Sequence, residues 1–154
     1  MTKPTIVFFG FDSVPKSTPK VFLRTLLYST AARGQVVEGM YAKVRHGSDE
    51  RIFSFWGYGE MEKLSPGSGL HASRTGFAAN HHFVLSVHED AYCFEPGIYE
   101  IDVIADVVGH RKPTRLATIQ LSLSNTLSAA LQRNEGVLFE RKISGEYEGH
   151  SVER

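Results

Sequence analysis

Cysteine is almost absent from this sequence, and so are long apolar stretches. The single cysteine, Cys93, has no disulfide partner within the chain, and disulfides are the usual mark of an oxidising compartment. The apolar run at residues 6–11 contains a glycine and is too short for the apolar region of a signal peptide. No stretch approaches the roughly 20 apolar residues of a membrane-spanning helix. We therefore expect a cytoplasmic protein.

An excess of charge of either sign is also absent. Lysine and arginine number 17, aspartate and glutamate also number 17, and the formal net charge is zero. This balance does not supply the electrostatic attraction that non-specific binding to nucleic acids or to anionic membranes requires. We expect neither nucleic acid nor membrane as a partner, and instead a protein partner or self-association.

The chain does have enough apolar material for a core. With 154 residues, of which 42% are hydrophobic, residues 1–154 are expected to form a single domain. The last ten residues are polar, and chain ends of this kind often fray. We therefore predict one domain with a frayed tail at 145–154.

One stretch in the second half carries the clearest pattern. The odd positions within 99–107 are apolar, while Glu100, Asp102 and Asp106 lie between them. A period of two is typical of a strand with one buried face. After a loop that contains glycine and proline, the same alternation resumes at 117–123. The pattern predicts an antiparallel hairpin with its odd-numbered face in the core and the three acids on the solvent side.

Other strands are predicted from short runs rich in β-branched and aromatic residues. They lie at residues 5–11, 35–45, 51–58, 82–87 and 137–143. Residues 57–76 contain Pro66 and several glycines, which predicts a long loop or an irregular edge segment. Residues 125–134 begin with the cap-like Asn125 and continue with apolar residues at helical spacing, which predicts a short helix.

Residues 17–34 fit two different structures. Ser17-Thr18-Pro19 and a terminating Gly34 are typical of a capped helix at about 19–33. Residues 21–30 also fit a buried strand, because Val, Phe, Thr and Tyr favour strands. Local signals favour the helix, while the surrounding strands favour another strand. We predict a strand here, with an α+β fold that has a helix at 19–33 as the alternative.

The predicted strands suggest a fold. Residues 81–87, 94–108 and 115–124 resemble the last three strands of an immunoglobulin-like or fibronectin type III-like sandwich, with Pro96-Gly97 at the turn. The resemblance implies a tyrosine corner at Tyr99. It also implies an all-β (mainly β) fold, an antiparallel β-sandwich with one or two short helices. It implies no activity, because this architecture hosts many unrelated functions, and the chain resembles no family of known function.

Histidines are the first candidates for chemistry. On a strand, His81 and His82 would point to opposite faces, and His88 would lie roughly 20 Å from His82. These residues therefore cannot bind one metal ion together while the strand stays extended. A site at His88, Glu89 and Asp90 would need a distant ligand as well, so exposed or hydrogen-bonded histidines are the simpler interpretation.

Candidate ligand-binding residues come from loops, which often carry function in sandwich folds, and from the histidine-rich region. They are Trp56, Tyr58, Arg74, His82, Arg111 and Lys112. The aromatic residues are suited to packing on a sugar or a peptide, and the two cations at the hairpin tip are suited to a weak phosphate contact. No residue is assigned a catalytic or metal-binding role, and no cofactor is expected.

Two classes of function fit these observations. We predict a non-catalytic binding or structural module, able to form a homo-oligomer through an edge strand. The alternative is a small metal-dependent or hydrolytic enzyme that uses the histidine-rich region around 81–90. The sequence contains no motif that decides between the two classes.

Overall fold

Alternating apolar and polar residues produce strands along most of this chain. The computed structural model describes residues 1–12, 18–59, 65–66, 69–85 and 92–153, with the backbone alone for Trp56, Ser65 and Pro66. Its elements are β1 (Ile6–Asp12), β2 (Thr18–Leu27), β3 (Gln35–His46), β4 (Asp49–Tyr58), β5 (Ser65–Pro66), β6 (Leu70–Ala72), β7 (Phe77–Leu85), β8 (Gly97–Val107), β9 (Thr114–Leu123), α1 (Asn125–Gln132), β10 (Gly136–Arg141) and β11 (Tyr147–Val152). No helix in these ranges has the length and apolar character needed to cross a membrane.

The strands form one antiparallel sheet. Its order is β11-β10-β1-β2-β7-β4-β3-β8-β9, with β5 paired to β4 and β6 paired to β3. The two end strands, β9 and β11, approach each other, so that the sheet curls until it is nearly closed. The mainly β prediction is confirmed. The hairpin β8–β9 lies where the alternation predicts it, and the strands predicted at 35–45 and 51–58 pair as the hairpin β3–β4.

Irregular pairing helps the sheet to curl. The register shifts in β3 after Val37, in β4 after Phe55 and in β9 between Arg115 and Ala117, and such bulges bend a strand and increase its twist. Strand β3 pairs with β6 over its first residues and with β4 over its last ones. The segment at 57–76, predicted as a loop or irregular edge, therefore contributes two short strands that pair with β3 and β4.

The concave face of the sheet forms the core. On β8 the odd positions from Tyr99 to Ala105 are completely buried, and Ile119 and Leu121 face them from β9. On β1, Phe9 stacks against Phe94 with ring centroids 4.7 Å apart. The buried odd-numbered face that the sequence predicts for the β8–β9 hairpin is thus confirmed.

The start of β8 is built around Tyr99 and Gly97. The Tyr99 hydroxyl donates a 2.7 Å hydrogen bond to the backbone carbonyl of Glu95, the backbone contact typical of a tyrosine corner. The His46 ring stacks on Tyr99 at 4.6 Å. Gly97 has a φ of +143°, and a Cβ there would collide with the His46 ring. Glycine therefore fits at position 97 because of both its backbone angle and the close ring.

The alternative of a helix at 19–33 is wrong, because β2 occupies Thr18–Leu27. Phe22 and Leu23 point to opposite faces, yet both are buried. Strand β2 pairs with β1 on one side and with β7 on the other. A central strand can bury both of its faces in this way, whereas a helix packed on a sheet buries a single stripe.

The predicted frayed tail at 145–154 is also wrong. Strand β11 pairs with β10 in a continuous register from Gly136↔Val152 to Arg141↔Tyr147. The Tyr147 hydroxyl donates to the backbone carbonyl of Pro4 at 2.8 Å. The polar composition of the tail reflects an edge strand with many exposed side chains, since backbone pairing does not require apolar residues.

The short helix predicted at 125–134 is confirmed as α1. Its cap is Ser124, one residue before the predicted Asn125, and the Ser124 side chain accepts a hydrogen bond from the Leu127 amide. The buried hydroxyl of Ser128 donates to the backbone carbonyl of Phe94 at 2.7 Å. The helix therefore packs over the segment that leads into β8.

Candidate functional site

A groove lies where the two ends of the sheet meet. Its volume is about 600 Å³, and it is lined by residues 118–122 of β9, by Ile98 and Glu100 of β8, by residues 145–147 next to and at the start of β11, and by Lys3. These segments are distant in sequence. The groove therefore depends on the closure of the sheet, which brings the β10–β11 turn beside the β8–β9 hairpin.

One wall of the groove is the free edge of β9. This strand pairs with β8, and within the described residues it has no ladder to β11. In an antiparallel pair, alternate residues direct their amide and carbonyl groups away from the partner strand. Every second residue of the ten-residue strand β9 thus presents its backbone donor and acceptor on the free side. Such an edge is a template for another strand.

The edge of β9 carries little of the charge that commonly protects edge strands. Arg115 lies near its start, and residues 116–123 contain no charged side chain. Natural edge strands are often protected by lysines, prolines or bulges. Strand β9 has a bulge where Arg115 meets Ile104, but from Ala117 to Leu123 its pairing with β8 is regular.

A buried carboxylate lies beside the groove. Asp102 is 1% exposed, and it accepts hydrogen bonds from Arg45 at 2.8 Å and from Thr118 at 2.5 Å. Arg45 also donates to Glu100, and Arg115 lies 3.8 Å from Asp102. The prediction that the even-numbered acids face solvent is wrong for Asp102, because basic and hydroxyl side chains from both neighbouring strands cover it.

The ionisation of Asp102 follows from this arrangement. Burial alone raises the pKa of its carboxyl group, but the hydrogen bonds from Thr118 and Arg45 and the charges of Arg45 and Arg115 outweigh burial and lower the pKa. The carboxylate is therefore ionised and already paired. It acts as a structural link across β3, β8 and β9, while Glu100 and Thr118 connect it to the groove wall.

Two charged side chains in the groove have no such partner. Lys3 and Glu146 both line it, and neither forms an ion pair with any residue that the structure describes. Ile98, which also lines the groove, is 60% exposed. The groove thus combines a cation and an anion without an ion-pair partner among the described residues, an exposed apolar side chain and the free backbone edge of β9.

Five of the six candidate residues chosen from the sequence lie away from the groove. The side chain of Trp56 is outside the described part of the structure. Tyr58 packs edge-on against Phe77 at 5.1 Å in the middle of the sheet. Arg74 is exposed in the turn between β6 and β7, and Arg111 and Lys112 are exposed at the tip of the β8–β9 hairpin. None of the four described side chains lines the groove, and the role of all five residues in binding stays a prediction.

His82, the sixth candidate, is buried, and its role in binding also stays a prediction. It is 1% exposed and packs against Phe22 at 5.0 Å. His81 is completely buried on the opposite face, between the rings of Phe55 and Phe77. The two histidines therefore point in opposite directions, as the strand geometry predicts.

The other histidines are dispersed. His46 stacks on Tyr99, His110 hydrogen-bonds to Gln35 and Thr114, and His71 lies near Gly34. The described residues contain no group of three or more His, Cys, Asp or Glu side chains placed to bind a metal ion. His88, Glu89 and Asp90 lie outside the described residues, so the suggestion of a site there stays a prediction.

Sequence reasoning did not find the groove. Lys3 and residues 145–147 are remote from β9 in sequence, and strand order is needed to bring them together. One signal was present in the sequence, namely the uncharged run at 116–123, because a strand without charge is unusual at an exposed edge. That signal identifies an edge only when the strand is known to be the last in its sheet.

Comparison with known proteins returns no relative. No family model, no curated protein and no solved structure matches this chain. The resemblance to immunoglobulin-like and fibronectin type III-like sandwiches accordingly stays a prediction, although the chain has the mainly β, antiparallel character that the resemblance implies.

Proposed function

We propose that this protein is a non-catalytic interaction module that binds an extended polypeptide segment along the free edge of β9. The observation that carries the proposal is the regular, uncharged edge of residues 117–123, which opens onto a groove of about 600 Å³. An added strand would gain main-chain hydrogen bonds from this edge, and groove side chains would contact alternate residues of the segment.

The chemistry of the groove supports a polypeptide over a small polar ligand. Residues 118–122 offer backbone groups at the regular spacing of a strand, about 3.3 Å per residue, which matches another extended chain. Ile98 supplies an apolar contact, and Lys3 and Glu146 supply charges of both signs. Asp102, the buried acid beside the groove, is already hydrogen-bonded to Arg45 and Thr118. It therefore supports the groove wall that β9 forms.

A titration with a synthetic peptide tests this function. The probe is a capped peptide of roughly eight residues with alternating threonine and valine, a length and composition suited to a strand. It is added to isotope-labelled protein at a concentration where light scattering gives the mass of one chain. We expect the backbone NMR signals of residues 116–123 to shift, while those of the central strands stay in place.

A matched pair of variants controls this experiment. Ser122→Lys introduces a charge on the groove side of β9, whereas Ser54→Lys introduces the same charge on β4, whose two edges are already paired. Both serines are exposed. We expect Ser122→Lys to weaken peptide binding severalfold and Ser54→Lys to leave it unchanged. The proposed function would be contradicted if the NMR signals of β9 did not shift when the peptide is added, or if both variants bound the peptide equally well.

A further inference from the structure

Three loops meet at one end of the sheet. They are the β2–β3, β6–β7 and β8–β9 loops, at residues 28–34, 73–76 and 108–113. The Ser29 amide donates a 2.9 Å hydrogen bond to the backbone carbonyl of Ser73. The Ser29 hydroxyl donates to the side-chain oxygen of Gln35 at 3.1 Å, and the side-chain nitrogen of Gln35 lies 3.0 Å from a ring nitrogen of His110. These bonds connect all three loops, which therefore form one continuous surface.

This surface carries cations and no carboxylates. Its exposed cations are Arg33, Arg74, Arg111 and Lys112, and the three loops contain no aspartate or glutamate. None of the four cations forms an ion pair with a residue in the described part of the chain. Because the loops are adjacent, the fields of their charges add, and this end of the sheet attracts anions.

The nearest acids do not cancel this charge. Glu38 and Asp106 lie near the ends of β3 and β8 that meet the loops. Arg115, at the start of β9, lies 3.8 Å from Asp102, so this pair adds no net charge. Residues 60–64, which contain two acids and one lysine, follow β4 and lie outside the described residues. Among the described residues the four loop cations exceed the two acids, and the surface is positive.

The cations are spread over a width that suits a chain of anionic groups. At this end β6, β3, β8 and β9 are successive neighbours. Neighbouring strands lie about 4.8 Å apart, so the strand ends that carry the loops span roughly 14 Å. In an extended peptide, side chains on one face recur about every 6.6 Å, so about three carboxylates of such a peptide fit across the surface.

The side chains on this surface favour a polypeptide over a nucleic acid. Arginine forms paired hydrogen bonds with carboxylates, and arginine and tyrosine are enriched at protein interfaces. Tyr28 and Val108 are 41% and 57% exposed on the same loops, so they add apolar contacts. Single-stranded nucleic acids are bound by stacking on several aromatic side chains, whereas Tyr28 is the loops' single Phe, Tyr or Trp residue.

We propose that the three loops form a second binding surface, which takes an acidic segment of another protein. The carboxylates of that segment pair with the four loop cations, while its apolar side chains pack against Tyr28 and Val108. Arg74, Arg111 and Lys112, which the sequence suggests as ligand-binding residues, thereby act on one ligand. No residue of these loops lines the groove beside β9, so the surface is separate from the groove and the inference goes beyond the proposed function.

A pair of capped peptides tests this inference. One peptide alternates glutamate and threonine over roughly eight residues, enough to span the loops, and the other has glutamine in place of glutamate. Each is added to isotope-labelled protein at roughly 50 mM salt, where exposed charges are weakly screened. We expect the glutamate peptide to shift the backbone NMR signals of the three loops, and the glutamine peptide to leave them in place. Raising the salt to about 200 mM should weaken binding severalfold.

Variants that lose a charge provide the controls. Arg74→Gln should weaken binding of the glutamate peptide severalfold, and the double variant Arg111→Gln/Lys112→Gln should weaken it roughly tenfold, because two exposed cations are lost. Arg133→Gln also removes one exposed cation, but Arg133 follows α1 at the opposite end of the sheet and pairs with Glu135. We expect Arg133→Gln to leave binding unchanged.

The possible outcomes separate this surface from the β9 edge. No binding of the glutamate peptide at low salt, equal binding of both peptides, or unchanged binding in the double variant overturns the inference. A single-stranded oligonucleotide of eight nucleotides that binds the loops more tightly than the glutamate peptide identifies a nucleic-acid surface, which also overturns it. Shifts confined to residues 116–123 would place the acidic peptide on the edge of β9; this result overturns the inference and leaves the proposed function standing.

Discussion

Two adjacent histidines occupy opposite faces of β7, and both are buried. For His81, burial among aromatic rings and, to a smaller extent, the neighbouring His82 lower the pKa to about 4. Cross-strand neighbours of His81 are Leu23 on β2 and Tyr58 on β4. In the folded protein His81 is therefore neutral at pH 7, and it makes no hydrogen bond with any described residue.

The lowered pKa of His81 predicts how stability depends on pH. In the unfolded chain His81 is protonated below about pH 6.5, whereas in the folded protein it is protonated only below about pH 4. The free energy of unfolding should therefore decrease as the pH falls from about 6.5 to about 4, by about 3 kcal/mol from this group. Denaturant titrations at a series of pH values measure the slope of the free energy of unfolding against pH. This slope should be shallower in His81→Leu than in the wild type.

Replacement of an exposed histidine provides the control for this prediction. His150 lies on β11 with its side chain exposed, and His150→Leu should keep the wild-type slope. If His81→Leu loses stability between pH 6.5 and 4 as steeply as the wild type does, the buried, neutral state that we assign to His81 is wrong.

At the residue scale, sequence reasoning placed apolar residues well and charged ones less well. The opposite orientations of His81 and His82 follow from strand geometry alone. The burial of Asp102 does not, because it depends on Arg45 from β3 and Thr118 from β9, which reach it only after three strands have paired. Alternation shows which face of a strand a residue occupies, but it does not show what covers that face.

At the element scale, the β8–β9 hairpin and β11 illustrate two different signals. The hairpin has strict alternation and a turn that contains glycine and proline, and these local features predict it. Strand β11 has few apolar residues and is stabilised by its register with β10, so its composition suggests a frayed end. In β2 the local signals are misleading. Its sequence contains a helix-like cap and terminator, but pairing with β1 and β7 makes it a strand.

Because β11 is a well-paired strand and not a frayed end, its Tyr147 is expected to contribute to stability. Its hydroxyl donates to the backbone carbonyl of Pro4 at 2.8 Å and joins the two ends of the chain. Removal of this hydrogen bond in Tyr147→Phe should lower the free energy of unfolding by about 1 kcal/mol. A thermal melt should show a decrease in Tm of about 2–4 °C for a chain of this size.

Tyr28 offers a comparison, since it is an exposed tyrosine in the segment after β2. Tyr28→Phe should leave the Tm close to the wild-type value. A Tm that is unchanged in Tyr147→Phe would indicate that the tail frays after all, as its composition suggests.

At the scale of the whole molecule, the groove arises from closure. The sheet begins with β11 and ends with β9, and its curvature brings these end strands together without joining them by hydrogen bonds in the described part of the chain. Composition predicts the mainly β class because strand signals recur along the whole sequence. The order of strands is set by long-range pairing, and this order brings Lys3 and Glu146 close to β9. The candidate site therefore could not be predicted from the sequence.

Residue-resolved amide hydrogen exchange in β9, with and without the threonine-valine peptide, tests edge binding most directly. Alternate residues of an edge strand point their amides toward the free side, while the others are already bonded to β8. We expect the peptide to slow exchange at every second residue within 116–123 and to leave the intervening residues nearly unchanged. Exchange that is unaffected throughout β9, or slowed equally at all its residues, would contradict binding along the backbone edge.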